Sequence, residues 1–310
     1  MMGTGHTASG LAGAAVTLPI ASAVGAHPAA WTAAWVAGAM LSDLDTSGSH
    51  GARVWGAPTR ALGGLIGKVA GGHREDTHDI VWAPILTAVI GWVVLVAAWA
   101  AGGFSGVGTA VASAARVQAE GLLASPPRTA EGAVRAAADA LVAVATQVPP
   151  LAILPVLVVA LIIGIAIRMT LGQAGVTVKT SAGRISTSRV FRNPFVNFAV
   201  SVTAATALLA NPAALWWAPI VIAIGVVTHI LGDSITTEGA PRPKLTPWQK
   251  HTPGKDGKKD SEWGLRLFNT GTWPDLIIRS GLTATAAYFF LANLAPGVIE
   301  QIQGASGVLS

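Results

Sequence analysis

Residues 213–233 read AALWWAPIVIAIGVVTHILGD. Residues 213–231 contain no Asp, Glu, Lys or Arg, and their length fits the roughly 20 apolar residues that a helix needs to cross a bilayer. His229 and Asp233 close the stretch four positions apart. Because positions i and i+4 share one face of an α-helix, the imidazole and the carboxylate point at the same spot. This spacing is typical of metal ligands and of acid/base pairs.

The composition of the whole chain also predicts a membrane protein. Of its 310 residues, 52% are hydrophobic and only 11% are charged, and the mean hydropathy is +0.56, whereas soluble domains have roughly a quarter charged residues. No cysteine is present, which excludes disulfides and thiolate metal sites. His and carboxylate side chains must then hold any metal, and they suit Zn, Mn, Mg or Fe.

Five apolar segments predict transmembrane helices. Four contain no charged residue, and the fifth carries Arg279 near its start, where a long side chain can reach the interface. The first forty residues are also apolar but are broken at His27-Pro28, so we expect a helical hairpin over residues 1–42. A cleaved signal peptide is disfavoured because no Lys or Arg precedes Asp43. The five predicted spans are residues 80–101, 149–167, 194–210, 213–231 and 276–298.

Basic loops orient these spans. Residues 168–193 and 232–275 are rich in Lys and Arg and are therefore assigned to the cytoplasm, together with the motif-rich segment 43–79. This accounts for the excess of 20 basic over 15 acidic residues without nucleic-acid binding, for which no aromatic-basic pattern is present. Residues 102–148 are net neutral and predict a non-cytoplasmic insertion without chemistry, and alternating residues 176–190 predict a small cytoplasmic β-hairpin.

The predicted fold is therefore all-α: one polytopic membrane domain over residues 1–310. Nearly all His and many acidic residues fall at the cytoplasmic ends of its helices. Asp43 and Asp45 form a D-x-D pair that can share a divalent cation, although such a pair is also found in helix-terminal turns. A structural pair, in which the Asp233 carboxylate orients the His229 imidazole, is the alternative to metal binding at these two residues.

Residues 72–79 read GHREDTHD. His73 and His78 supply ligands, and Arg74 between them suits a phosphate or carboxylate; a merely polar interfacial loop is the alternative. His6 is either a ligand or part of an N-terminal cap, and Asp275 is either a ligand or an acid favoured at a helix N-terminus. His27 and His251 are expected at the surface.

These motifs, in this order, resemble the YdjM/YbcI-like family of bacterial inner-membrane proteins described as metal-dependent hydrolases. That family carries G-H near its start, then P-D-x-D-H, G-H-R-x-x-T-H-S, S-H-x-x-x-D followed by T-P-x-G-x-P, and a late T-G-x-x-x-E. The matching segments here are residues 5–6 (GH), 41–45 (LSDLD), 72–78 (GHREDTH), 228–241 (THILGDSITTEGAP) and 270–275 (TGTWPD).

Three positions depart from the family pattern. Thr46 stands where the D-x-D-H motif has its His, and whether His50 replaces that ligand stays open. Asp79 replaces the Ser of the T-H-S motif, and Asp275 replaces the late Glu. The neutral insertion and the hairpin are additions. The resemblance implies an integral membrane, helical, metal-dependent hydrolase and leaves its substrate undefined.

The leading hypothesis is a multi-pass inner-membrane hydrolase whose site faces the cytoplasm. Asp45 or Asp76 would act as general base or as partner of a ligand, and Arg74 would hold an anionic substrate. Phosphoester hydrolysis fits one or two divalent ions, with Zn favoured over Mn, Fe or Mg, and a bilayer site suggests a lipid or lipid-linked substrate. The expected metal ligands are His6, Asp43, His73, His78, His229 and Asp233.

Two alternatives belong to other classes. A transporter or ion-binding protein would use the same residues along a permeation path, but those residues should then lie near the bilayer midplane rather than at helix ends. A non-catalytic membrane interaction protein with a degenerate site would explain the missing His after Asp45. Absence of bound metal would favour these alternatives over the hydrolase hypothesis.

Overall fold

The computed structural model of the chain is mostly helical. It describes most of the chain outside the insertion. Within the insertion, residues 102–148, it describes only four helical positions, Arg135, Ala138, Asp139 and Val142. The prediction for residues 102–148 otherwise lies outside the described part, as does His251. The described ranges are residues 3–71, 76–100, 152–174, 177–180, 183–237, 239–241, 243–244, 262–265 and 267–306.

Ten α-helices are described, joined by short 3₁₀ turns. The turns at Ser42–Asp45, Asp76–His78 and Pro212–Leu215 follow or precede long helices. The helices are α1 Gly3–Val16, α2 Leu18–Ala23, α3 Pro28–Leu41, α4 Ala57–Val69, α5 Trp82–Ala100, α6 Ile153–Ala174, α7 Thr187–Arg192, α8 Pro194–Leu209, α9 Ala218–Ser234 and α10 Trp273–Ser306.

Within the described residues, three helices are long and apolar enough to cross a membrane. They lie at Trp82–Ala100, Ile153–Gly172 and Pro212–Ser234, and they match the predicted spans 80–101, 149–167 and 213–231. Helix α8 fits the predicted span 194–210 but has only 16 residues, fewer than the roughly 20 that a span needs. Helix α10 contains the predicted span 276–298. Membrane crossing by α8 and α10 stays a prediction.

The N-terminal segment forms three helices, α1, the short α2 and α3, and the helical run is interrupted at His27-Pro28, where the sequence predicts a break. Pro28 is the first residue of α3, where its missing N–H costs no hydrogen bond. His27 caps this end, since its Nδ1 accepts a hydrogen bond from the Ala29 amide at 3.2 Å. Helices α1 and α3 have 14 residues each, so crossing by the hairpin is not established.

A β-hairpin is present in the first part of the predicted segment 176–190, whereas residues 187–190 belong to α7. Strands β1 Thr177–Thr180 and β2 Gly183–Ser186 pair antiparallel, with Val178 opposite Ile185. A second short pair joins β3 Ala240–Pro241 to β4 Glu262–Trp263. These strands contribute little to the core, which is built from the helices.

The backbones of helices α3 and α9 approach each other closely at two glycines, Gly38 and Gly225. A Cβ added to Gly38 would lie 2.2 Å from the carbonyl oxygen of Ile222, and one added to Gly225 would lie 2.7 Å from that of Trp35. Only glycine fits where two backbones approach this closely, as is common between membrane helices. The contact fixes the end of α3 against the last turns of α9.

Asp79, the residue at the position of the Ser in the family motif, lies just before helix α5. Its Oδ1 accepts hydrogen bonds from the amides of Val81 and Trp82, both at 2.9 Å. Its Oδ2 accepts from the Lys244 amide at 2.8 Å. The fully buried carboxylate therefore caps the helix and holds the segment after α9 against it.

Replacing Asp79 with Ala is expected to lower the free energy of unfolding by about 1–2 kcal/mol, because the cap of α5 is lost. Asp79→Ser retains a capping oxygen and should lose less. Thermal unfolding of detergent-purified protein measures both. Equal stability of the Ala variant and the native chain would contradict this assignment.

Candidate metal centre

Four separate segments bring His and Asp side chains together at the ends of helices. His6 lies in the first turn of α1, Asp43 in the turn after α3, and His78 in the turn before α5. His229 and Asp233 lie in the last turns of α9. His6, His78, His229 and Asp233 are each at most 1% exposed, so they form a buried polar cluster, which we call the His/Asp cluster.

The spacing of His229 and Asp233 places both on one face, as the sequence predicts. His229 Nε2 lies 3.6 Å from Asp233 Oδ2. A carboxylate near a helix C-terminus is electrostatically unfavourable, because the carbonyl dipoles there already carry negative charge. Asp233 therefore needs compensation from outside the helix, which the imidazoles of the cluster or a bound cation would supply.

The proton of His229 is assigned by its neighbour on α3. His229 Nδ1 lies 2.7 Å from the carbonyl oxygen of Ala39, in the last turn of α3, where carbonyls have no partner within the helix. A carbonyl only accepts hydrogen bonds, so Nδ1 carries the proton. Neutral His229 therefore presents a lone pair at Nε2.

The proton of His78 is assigned by Thr77 and Asp45. The Thr77 hydroxyl donates its single hydrogen to Asp45 Oδ2 at 2.5 Å. Because Thr77 Oγ1 also lies 3.0 Å from His78 Nδ1, Nδ1 must donate to it. Burial, followed by the nearby His229, lowers the pKa of His78 to about 3. Neutral His78 then has its lone pair at Nε2.

The two Nε2 atoms face each other. They lie 3.1 Å apart, and each lies 3.6 Å from Asp233 Oδ2. Two nitrogen lone pairs repel at this distance unless a proton or a metal cation lies between them. Ligand atoms bound to one Zn at about 2.0–2.1 Å lie roughly 3.0–3.4 Å apart, so the triangle fits a divalent ion with little rearrangement.

A second group lies against the first. His6 Nε2 is 3.2 Å from Asp233 Oδ1, and Asp43 Oδ1 is 3.7 Å from His229 Nε2. The His6 ring stacks on His229 with centroids 3.7 Å apart. Ligand atoms of His6, Asp43 and His229 lie within 4.8 Å of one another, as do those of His78, His229 and Asp233. The two oxygens of Asp233 thus face different imidazoles and suit a bridging carboxylate.

Two features of His6 and Asp43 bear on access. His6 Nδ1 is buried without a hydrogen-bond partner among the described residues, so its environment is incomplete for a structural histidine. The Asp43 side chain is 21% exposed, more than any other member of the two groups. Asp43 therefore marks the side from which solvent or a substrate reaches the cluster.

The structure gathers four of the predicted ligands closely and places Asp43 at their edge. His73 and Arg74 lie outside the described residues. Asp45 contacts His78 through Thr77, as expected for a partner of a ligand. Asp76 instead forms an ion pair with Lys244, so its role as a base stays a prediction.

The two residues left open in the sequence lie apart from the metal groups found among the described residues. His50 is exposed at one side, and partial burial of its ring, followed by the nearby Arg168 and Arg53, lowers its pKa. Asp275 is buried at the start of α10, where Oδ2 accepts from the Gly271 amide at 2.9 Å and lies 3.4 Å from Arg279 Nε. It holds a helix N-terminus.

Sequence reasoning did not anticipate the Ala39 carbonyl, Thr77 or the glycine contact between α3 and α9. Thr77 lies between Asp76 and His78 in the quoted segment 72–79, so its position beside a predicted ligand was visible in the sequence. The Ala39 carbonyl belongs to the backbone, and no residue type in the sequence marks it.

No protein-family model matches the chain, and no curated protein or solved structure matches it significantly. The His/Asp cluster is therefore the basis for a functional argument.

Proposed function

We propose that the protein is a polytopic membrane protein that hydrolyses phosphoesters with one or two divalent metal ions at its cytoplasmic face. The membrane location is supported by the three helices of spanning length. The cytoplasmic orientation is supported by the positive loops around the motif segments. The ions would be held by His6, Asp43, His78, His229 and Asp233.

The observation that carries this proposal is the pair of Nε2 atoms of His78 and His229, which are 3.1 Å apart and share Asp233. Each imidazole is oriented by a hydrogen bond on its opposite nitrogen. This pattern, a ligand atom on one side and a carbonyl or carboxylate system on the other, is usual around protein metal sites. The convergence of both Nε2 atoms on the Asp233 carboxylate supports a bound cation at this point.

The bound ions would polarise a phosphoryl oxygen and provide a water nucleophile at neutral pH. The chain's own groups would orient the ligands and accept a proton. Ala39 and Thr77 keep the protons of His229 and His78 on Nδ1, and Asp45 holds Thr77 in place. Asp43, at the exposed edge, is positioned to accept a proton from water entering the cluster.

The substrate class follows from the ligand set and from location. Nitrogen and oxygen ligands without thiolate suit Zn, Mn or Fe, which support ester hydrolysis. A second ion would clamp a phosphoryl group between two charges. Because the cluster lies at the ends of helices of spanning length, a lipid or lipid-linked phosphoester could reach it from the bilayer surface.

Metal content tests the proposal. Detergent-purified native protein is expected to contain near-stoichiometric Zn, Mn or Fe by mass spectrometry, and His229→Ala is expected to lose it. His27→Ala is the matched control, because His27 is an exposed helix cap. Native protein that binds no divalent ion, even after dialysis against added metal, would contradict the proposal and favour the transporter or interaction alternatives.

Hydrolysis is tested separately with metal-loaded protein. A panel of phosphoester lipids in mixed micelles is expected to release product with native protein and not with His229→Ala. Metal binding without any hydrolysis across the panel would leave an ion-binding membrane protein as the better description.

A further inference from the structure

An apolar cleft of about 540 Å³ lies beside the His/Asp cluster. Its size falls within the roughly 300–1,000 Å³ usual for small-molecule sites. It is bounded by the end of α3, by α4, by α5 and by α9. Most of its wall is hydrocarbon, including Leu44, Ile66, Ala83, Ile90 and Val226.

The outer part of this cleft faces the surroundings of the helix bundle. On α5, Leu86 and Ile90 are 46% and 57% exposed, and on α4, Leu65 and Val69 are 58% and 79% exposed. Helix α5 is one of the three helices of spanning length, so its exposed apolar face is the face that lipid would cover. The cleft is therefore continuous with a lipid-facing surface.

Helix α4 has the pattern of a helix that lies on a membrane surface. Leu62, Leu65 and Val69 follow one face at helical spacing and are all exposed, while Arg60 and Lys68 lie elsewhere on the helix. Apolar residues on one face and basic residues beside them are typical of interfacial helices. Helix α4 thus places the mouth of the cleft at the boundary between hydrocarbon and head groups.

The inner end of the cleft is polar. Ser42 lines it, is 3% exposed, and its hydroxyl has no hydrogen-bond partner among the described residues. Thr77 lines the same end and holds Asp45. Ser42 directly precedes Asp43 in the chain. A buried hydroxyl without a partner costs free energy, and a bound ligand oxygen would relieve that cost.

We propose that the cleft binds a hydrocarbon chain of a phosphate-bearing lipid, with the polar end of the lipid at Ser42. The chain would enter between α4 and α5, and the Ser42 hydroxyl would donate to an ester or phosphate oxygen. This inference assigns a substrate class to the proposed hydrolase and in that respect rests on the proposed function. Binding of the lipid itself does not require hydrolysis.

Photocrosslinking tests binding directly. The probe is a long-chain alkylphosphonate with a terminal diazirine, which cannot be hydrolysed as a phosphoester, added to the full chain in nanodiscs. Labelled peptides are expected from α4 and from the cleft side of α5. Labelling spread evenly over the exposed residues of α5, such as Val93 and Val96, would overturn the proposal.

A blocking variant sharpens the test. Thr87 lines the cleft, so Thr87→Trp is expected to reduce labelling of α4 by about tenfold by filling the site. Val89→Trp is the matched control, because Val89 is 51% exposed on the same helix and does not line the cleft. Equal labelling in the two variants would overturn the proposal.

Ser42→Ala tests the polar end. It is expected to weaken competition by unlabelled alkylphosphonate by about tenfold, because a hydrogen bond to a charged group is lost, and to leave competition by a plain alkane of equal length unchanged. Ser22→Ala is the control, because Ser22 is an exposed serine on α2 that does not line the cleft. Unchanged phosphonate competition in the Ser42 variant would overturn the assignment.

These outcomes separate the cleft from the metal function. Cleft labelling in protein that binds no metal supports the lipid site while the hydrolase proposal fails. If the protein binds metal but the cleft residues are not labelled preferentially, the lipid site is overturned and the hydrolase proposal is unaffected.

Discussion

Asp233→Asn is expected to abolish stable metal binding while changing the shape of the side chain very little. The native carboxylate lies 3.2 Å from His6 through one oxygen and 3.6 Å from both His78 and His229 through the other. The amide removes the negative charge and replaces one oxygen with a donor. Metal affinity should fall at least about 100-fold, since even partners of ligands contribute 10–100-fold.

The measurement pairs metal content after dialysis with thermal unfolding at fixed added metal. A 100-fold weaker affinity removes about 2.7 kcal/mol of metal-dependent stabilisation. Asp76→Asn is the matched control, because Asp76 pairs with Lys244 rather than with the cluster. Equal metal content in Asp233→Asn and the native chain would show that the Asp233 carboxylate is not a metal ligand.

Gly38→Ala is expected to have the largest effect on the fold. Its new Cβ would lie 2.2 Å from the Ile222 carbonyl oxygen and 3.0 Å from the Gly225 Cα. Backbone atoms on both sides cannot turn away as a side chain could, so α3 and α9 must separate. We expect a loss of about 3 kcal/mol or more in the free energy of unfolding.

The same separation would pull the neighbouring Ala39 carbonyl from His229, so metal content should fall together with stability. Gly64→Ala on α4 is the control with the same chemical change, because a Cβ there meets nothing within 4 Å. It should stabilise the chain by about 0.5–1 kcal/mol, since glycine is costly within a helix. Wild-type stability of Gly38→Ala would mean that the two helices do not pack as described.

The parts of the site that depend on local spacing could be predicted from the sequence. His229 and Asp233 are four residues apart on an apolar helix, and that periodicity alone places them together. The helix break at His27-Pro28 follows from proline geometry, and the hairpin at residues 177–186 follows from alternation. Each of these is encoded within a few residues.

The parts that depend on distant contacts could not be predicted. The orientation of His229 needs a backbone carbonyl that precedes it by 190 residues, and no side chain marks that carbonyl. Asp76 and Asp45 are equally suited to the role of base in the sequence, yet the first contacts Lys244 and the second contacts the cluster through Thr77. Tertiary packing makes that distinction, and spacing does not.

The separation of the cluster along the chain has a consequence for biosynthesis. His6, Asp43 and His78 are made and placed early, whereas His229 and Asp233 follow only after at least 150 further residues, since His229 comes 151 residues after His78. Until α9 docks against α3, the early side chains can neither share Asp233 nor be oriented by it. Metal binding would therefore be the last step of folding. A newly made chain that contains its ions would be a chain in which α9 has already packed against α3.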